Sequence, residues 1–259
     1  MALSRVTKQN KELDLMKHDK KVALCLHGYF DSQQDGSSKG LDGYKHLLNR
    51  VYSKCEPDVF IHSWQPELAD QINELYKPKA FLYQPQIDFV EHAASRDLYS
   101  LPEACPPMRR TPTVIMSHFY SIQKAFELCY QSGEQYDIVI KARFDIGRIN
   151  RNPDAIPVQC ITFDPTLDMS TVKMADWNMF DQGPADMWFY SGQKTMSKFV
   201  EIFFDLMDEF YLQSDFHKWV QEQRCFNVND LSNAVAFYHW WFKKHKLWDS
   251  KDALECEFE

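Results

Sequence analysis

Four short apolar runs in the first 145 residues restrict what this chain can fold into. They are Lys21-Lys-Val-Ala-Leu-Cys-Leu-His-Gly28, Asp58-Val-Phe-Ile-His-Ser-Trp64, Lys79-Ala-Phe-Leu-Tyr83 and Tyr136-Asp-Ile-Val-Ile-Lys-Ala-Arg-Phe-Asp145. Each is long enough for a strand and too short for a helix that packs alone. Their centres are apolar without alternation, the pattern of strands covered on both faces. Segments with helical spacing separate them. Tyr44 to Tyr52 carries Leu47, Leu48 and Val51 on one face, Glu67 to Tyr76 follows, and Ser117 to Tyr130 sets Phe119, Ile122, Phe126 and Cys129 in one stripe.

This alternation predicts an α/β fold, Rossmann-like in outline: a mostly parallel central sheet flanked by helices, with extra mixed strands. The extra strands are expected at Ile161 to Phe163 and Met187 to Tyr190, and two closing helices at Thr195 to Gln213 and Asp230 to His245. Asp31 to Gly43 reads as a glycine-bearing loop. Gln84 to Thr113, with Pro85, Pro102, Pro106, Pro107 and Pro112, reads as a long surface excursion. There is no internal repeat and no linker-like break. Residues 21–259 are therefore expected to form one domain behind a charged N-terminal arm of residues 1–20.

Composition removes several function classes. A hydrophobic fraction of 44% and an aromatic fraction of 15% are those of a globular chain. The net charge of −8, relieved only locally at Arg109-Arg110 and Lys243-Lys244, argues against nucleic-acid binding, which needs a clustered positive face. No stretch reaches the ~20 apolar residues that span a bilayer. The most apolar helical segment, Phe199 to Leu212, is broken by Glu201, Asp205, Asp208 and Glu209. Met1 to Asp19 lacks an apolar signal region, so a soluble, cytoplasmic protein is expected. The seven cysteines show no Cys-x-x-Cys spacing and read as reduced thiols rather than disulfides or a zinc site.

Open α/β sheets bind ligands beyond the carboxyl ends of their strands. His27-Gly28-Tyr29, His62-Ser63-Trp64 and Arg143-Phe144-Asp145 stand at such ends. Gly28 permits close backbone approach, and Tyr29 or Trp64 offers a ring to stack on a base or sugar. Asp145 is a hard oxygen ligand suited to Mg²⁺ or Mn²⁺, and Arg143 can pair with phosphate. The plain alternative is an Arg143–Asp145 ion pair. No Walker loop and no Gly-x-Ser-x-Gly elbow is present, which argues against a P-loop kinase and an α/β-hydrolase.

Tyr136-Asp-Ile-Val-Ile-Lys-Ala-Arg-Phe-Asp145 resembles a segment of GT-A-type glycosyltransferases of bacterial and large-DNA-virus polysaccharide synthesis. In that family an Arg-x-Asp element replaces the Asp-x-Asp metal and diphosphate motif. Asp58 to Trp64, Ser117-His-Phe-Tyr-Ser-Ile-Gln-Lys-Ala-Phe-Glu-Leu128 and Asp186-Met-Trp-Phe-Tyr-Ser-Gly192 are similar to three further segments of that family. The likeness runs from about Lys21 to Trp241.

The resemblance implies an inverting transfer from a UDP- or GDP-linked sugar to a glycan or glycoprotein acceptor. Carried over by position, His27, Gly28, Tyr29, His62, Trp64, Ser121, Lys124, Arg143 and Asp145 would bind the nucleotide sugar. Asp186 would be the catalytic base, with Asp181 its rival and Asp176 and Asp230 weaker candidates. Asp145 and His239 would hold Mn²⁺ or Mg²⁺. Each has a plainer alternative: a cap or turn for the aspartates, solvent for Lys124, a core imidazole for His239. The alternative reading of the whole chain is a non-catalytic nucleotide- or carbohydrate-binding or interaction module of the same fold.

Overall fold

The computed structural model describes residues 18–31, 39–96, 112–147, 160–175, 186–222 and 234–247, and the backbone of 253–254. The apolar runs become β1 (Val22–Gly28), β2 (Asp58–Ser63), β3 (Ala80–Tyr83) and β4 (Ile138–Arg143). Between them lie α1 (Lys39–Leu47), which ends in a wider π-helical turn Leu48–Tyr52, then α2 (Ala69–Tyr76), α3 (Val90–Ser95) and α4 (Pro112–Gln131). After β4 come β5 (Met174–Ala175), β6 (Trp188–Ser191), α5 (Gln193–Met196), α6 (Ile202–Glu209), α7 (Asp215–Glu222), α8 (Ala234–His245) and β7 (Ala253–Leu254).

The central sheet has five strands in the order β3-β2-β1-β4-β6. β1 pairs in parallel with both β2 and β4, β2 with β3, and only β6 runs antiparallel, against β4. A separate parallel pair joins β5 to β7. The chain steps from β1 outward to β3 and then returns to the other side of β1, so the order reverses between β1 and β4.

Both faces of the sheet are buried, as the apolar runs require. Ala23, Cys25, Phe60 and Val139 pack with α4, α6 and α8, while Leu24, Leu26, Val59, Ile61 and Ile140 pack with α1 and α2. Each large side chain fully buried here, such as Phe119 or Phe126, contributes ~1.5–3 kcal/mol.

Four sequence expectations need correction. Lys39 to Gly43 is helix, not loop: Gly40 and Gly43 are small because α1 lies hard against its neighbours. A Cβ on Gly40 would stand 2.2 Å from the Phe30 ring, and one on Gly43 would stand 1.8 Å from the Phe144 carbonyl oxygen. Ile161 to Phe163 is irregular, held by the Ile161 amide donating to His46 Nε2 (3.0 Å) and by burial of Ile161 and Phe163 rather than by a ladder. Thr195 to Gln213 is two helices with a 3₁₀ turn, Ser197–Val200, between them. Within Gln84 to Thr113, Val90–Ser95 is a short helix, while residues 97–111 lie outside the described residues.

Candidate functional site

Parallel register sets three strand ends in one row. His27 of β1 stands opposite His62 of β2 on one side and Arg143 of β4 on the other. Neighbours in register point to the same face, here the face covered by α4 and α8. Gly28 then leaves the strand with φ +101°, a conformation that a side chain disfavours, and turns the chain outward. Its amide donates to Ser121 Oγ of α4 (2.9 Å), and its carbonyl accepts from the Trp64 amide (3.3 Å). Ser121 Oγ also bonds His62 Nδ1 at 2.7 Å. One hydroxyl thus fixes the ends of β1 and β2.

A cavity of about 440 Å³ opens beyond this row. His27, Gly28 and Tyr29 line it from the end of β1, Trp64 from the end of β2, and Arg143 and Asp145 from the end of β4. It therefore lies at the carboxyl ends of the strands where the strand order reverses, the usual ligand position in such sheets. Trp64 stacks on Tyr120 with centroids 5.4 Å apart. The half-buried Tyr29 donates its hydroxyl to Gln86 Oε1, and Gln86 Nε2 donates to Ser117 Oγ (2.9 Å).

Arg143 organises the charge. Its Nε and Nη2 donate to the two oxygens of Asp145 (2.9 and 2.8 Å), and its Nη1 donates to Asp186 Oδ2 (3.2 Å). Burial works against the guanidinium's charge, but the two carboxylates outweigh it and raise its pKa above the ordinary value. The β4–β6 pairing explains the approach of Asp186, because the Arg143 amide donates to the Met187 carbonyl (3.1 Å). Asp186 does not itself line the cavity. His118 does, with Nε2 3.2 Å from Tyr238 Oη and 3.9 Å from Asp186 Oδ2.

Two residues back from Arg143 on the same face, Lys141 is completely buried. Burial pushes its pKa down to about 7; its Nζ donates to the Asp186 carbonyl and lies over the Phe189 and Tyr238 rings. Burial also lowers His27 well below its usual value, with Lys141 and His118 adding to the effect, and it lowers His62 to about 3. Both imidazoles are neutral at pH 7.

The remaining expected site residues stand elsewhere. His62, a member of the row, and Ser121 behind it are wholly buried and hold the strand ends without lining the cavity. Lys124, a turn beyond Ser121, also stays off the cavity wall; it pairs with Glu127 (2.6 Å) and lies over the Tyr120 ring. His239 packs edge-on to Trp219, with centroids 5.2 Å apart, and does not line the cavity either. Asp176, Asp181 and Asp230 lie outside the described residues.

Among the described residues, the donors do not assemble a site for a resident metal. Both oxygens of Asp145 accept from Arg143, His239 is not beside it on the wall, and the described residues contain no group of three His, Cys, Asp or Glu able to hold an ion.

Sequence reading missed Asp31, Lys39, Gln86, Ser117 and His118 on the wall. Ser117 and His118 begin the quoted α4 segment. The helical period places Ser117 one turn before Ser121, toward the mouth, and that was the available signal. Lys39 and Gln86 carried none, since both sit within stretches that read as loop.

No protein-family model matches the chain, and no curated protein or solved structure matches it significantly. Among the described residues, no helix is long and apolar enough to cross a membrane.

Proposed function

We propose that the chain is a glycosyltransferase. It moves a hexosyl or pentosyl group from a UDP- or GDP-linked sugar to a hydroxyl of a glycan or glycoprotein acceptor, with inversion. The observation that carries this reading is the cavity at the carboxyl ends of β1 and β4, lined by the strand-end residues of three quoted motifs. The fold class supports it at a coarser level: a mostly parallel five-stranded sheet flanked by helices.

In this reading Tyr29 and Trp64 offer aromatic faces to the base or sugar, and Gly28 lets the ligand approach the backbone. Arg143 and Lys39 meet the negative charge of the diphosphate. The acceptor hydroxyl gives its proton to Asp186 as its oxygen bonds to the anomeric carbon. The bond from that carbon to the diphosphate oxygen breaks on the opposite face, and the electron pair leaves with the diphosphate. Asp186 stands behind Arg143, so the acceptor reaches it past Arg143 and His118.

A second reading, a non-catalytic nucleotide- or carbohydrate-binding module, is favoured by one observation. Asp145 and Asp186, the two described carboxylates assigned to chemistry, are both engaged by Arg143.

Incubation with labelled UDP- and GDP-sugars separates the two. Transfer predicts release of UDP or GDP from one sugar nucleotide, slowed about 100-fold or more by Asp186→Asn. Binding of a sugar nucleotide without release selects the binding module.

A further inference from the structure

At the centre of the row, His27 is 2% exposed and borders the cavity. Neither Nδ1 nor Nε2 has a hydrogen-bond partner. Buried polar atoms in folded proteins are nearly always paired, and one left unpaired loses its hydration without compensation. Its ring contact is with His118, edge-on with 5.2 Å between centroids, and supplies neither nitrogen with a hydrogen-bond partner. Two unpaired nitrogens on one wall residue therefore point to a partner that enters from the cavity.

The chemistry of the pair restricts that partner. A neutral imidazole presents one N–H donor and one lone-pair acceptor. Ionised phosphate and carboxylate oxygens only accept, so they satisfy the N–H and set their lone pairs against the other nitrogen. A hydroxyl both donates and accepts. We infer that the corner of the cavity at His27 takes an uncharged, hydroxyl-bearing part of the ligand, a sugar or ribose ring, and not its diphosphate. The charged part of the same ligand is left to Arg143 and Lys39. This inference rests on the nucleotide-sugar reading of the cavity and adds which chemistry of the ligand meets His27.

The test uses the full chain labelled with ¹⁵N at histidine, with UDP-glucose, GDP-mannose and inorganic pyrophosphate as probes. The His27 ring signals are expected to shift when a sugar nucleotide binds and to stay in place with pyrophosphate. His27→Phe supplies a second readout with opposite signs. Without ligand the variant melts higher, because two unsatisfied atoms are gone, yet it binds the sugar nucleotide about tenfold more weakly. Its pyrophosphate affinity is unchanged. His27 signals that move with pyrophosphate overturn the inference. So does a sugar nucleotide that binds with His27 unmoved and with equal affinity for His27→Phe, and in that case the glycosyltransferase reading survives. If neither sugar nucleotide binds, that reading falls and the inference falls with it.

Discussion

His27 and Arg143 stand opposite each other in the register of β1 and β4, a neutral imidazole with no partner beside a guanidinium with three hydrogen bonds. The pairing places an uncharged contact and a charged one side by side at the point where the strand order reverses. One member of the row keeps two unpaired nitrogens, and the other is held by two carboxylates.

Removing the guanidinium leaves Asp145 and Asp186 without their shared cation. Arg143→Ala is expected to destabilise the fold by about 2–4 kcal/mol, toward the lower end because the side chain keeps 24% exposure. Adding Asp186→Asn to the same chain should recover part of that loss. Urea unfolding of the single and double variants measures the coupling. A value of at least about 0.5 kcal/mol is expected, and strict additivity would show that the Arg143–Asp186 contact contributes nothing.

Ser121 holds two strand ends through one oxygen, with Gly28 N at 2.9 Å and His62 Nδ1 at 2.7 Å. Ser121→Ala strands both groups in a buried place at a cost of about 1–3 kcal/mol. Ligand affinity should fall as well, because the row loses its brace. A lower melting temperature with unchanged ligand affinity would separate Ser121 from the site.

Two buried imidazoles and a partly buried one make the fold sensitive to acid. His27 and His62 are joined by His46, whose pKa burial lowers to about 4, and all three stay neutral where the unfolded chain protonates. Between pH 6.5 and those lowered values the unfolded state binds more protons, so stability is lost as pH falls. Each imidazole contributes up to about 1.4 kcal/mol per pH unit in that window. His46→Gln, which keeps an acceptor for the Ile161 amide, should reduce the slope of unfolding free energy between pH 6.5 and 4. An unchanged slope would rule out His46 as a source.

The strands were legible because an apolar run buried on both faces has few other uses, and β1, β2, β3 and β4 fall within the four runs. Their polar endings were legible too, and Tyr29, Trp64, Arg143 and Asp145 do meet at one cavity. What the sequence concealed was contact between distant segments. Gly40 and Gly43 look like loop residues until α1 is seen pressed on Phe30 and Phe144. Arg143 looks like a free phosphate ligand until the β4–β6 ladder brings Asp186 to it. Lys124 lies on the expected helix, but its ion pair with Glu127 is a local matter that spacing alone leaves open. His118 follows Ser117, which the helical period sets one turn before Ser121, and the packing of α4 against β1 shows that this turn reaches the mouth.

Calorimetric titration of the full chain with UDP, GDP and their sugars, with and without Mn²⁺, tests the central claim most directly, alongside Tyr29→Ala. The expected result is selective binding of one nucleotide series, weakened about tenfold or more by Tyr29→Ala. No binding under any of these conditions, or binding indifferent to Tyr29→Ala, would contradict a nucleotide-sugar site at the carboxyl ends of β1 and β4.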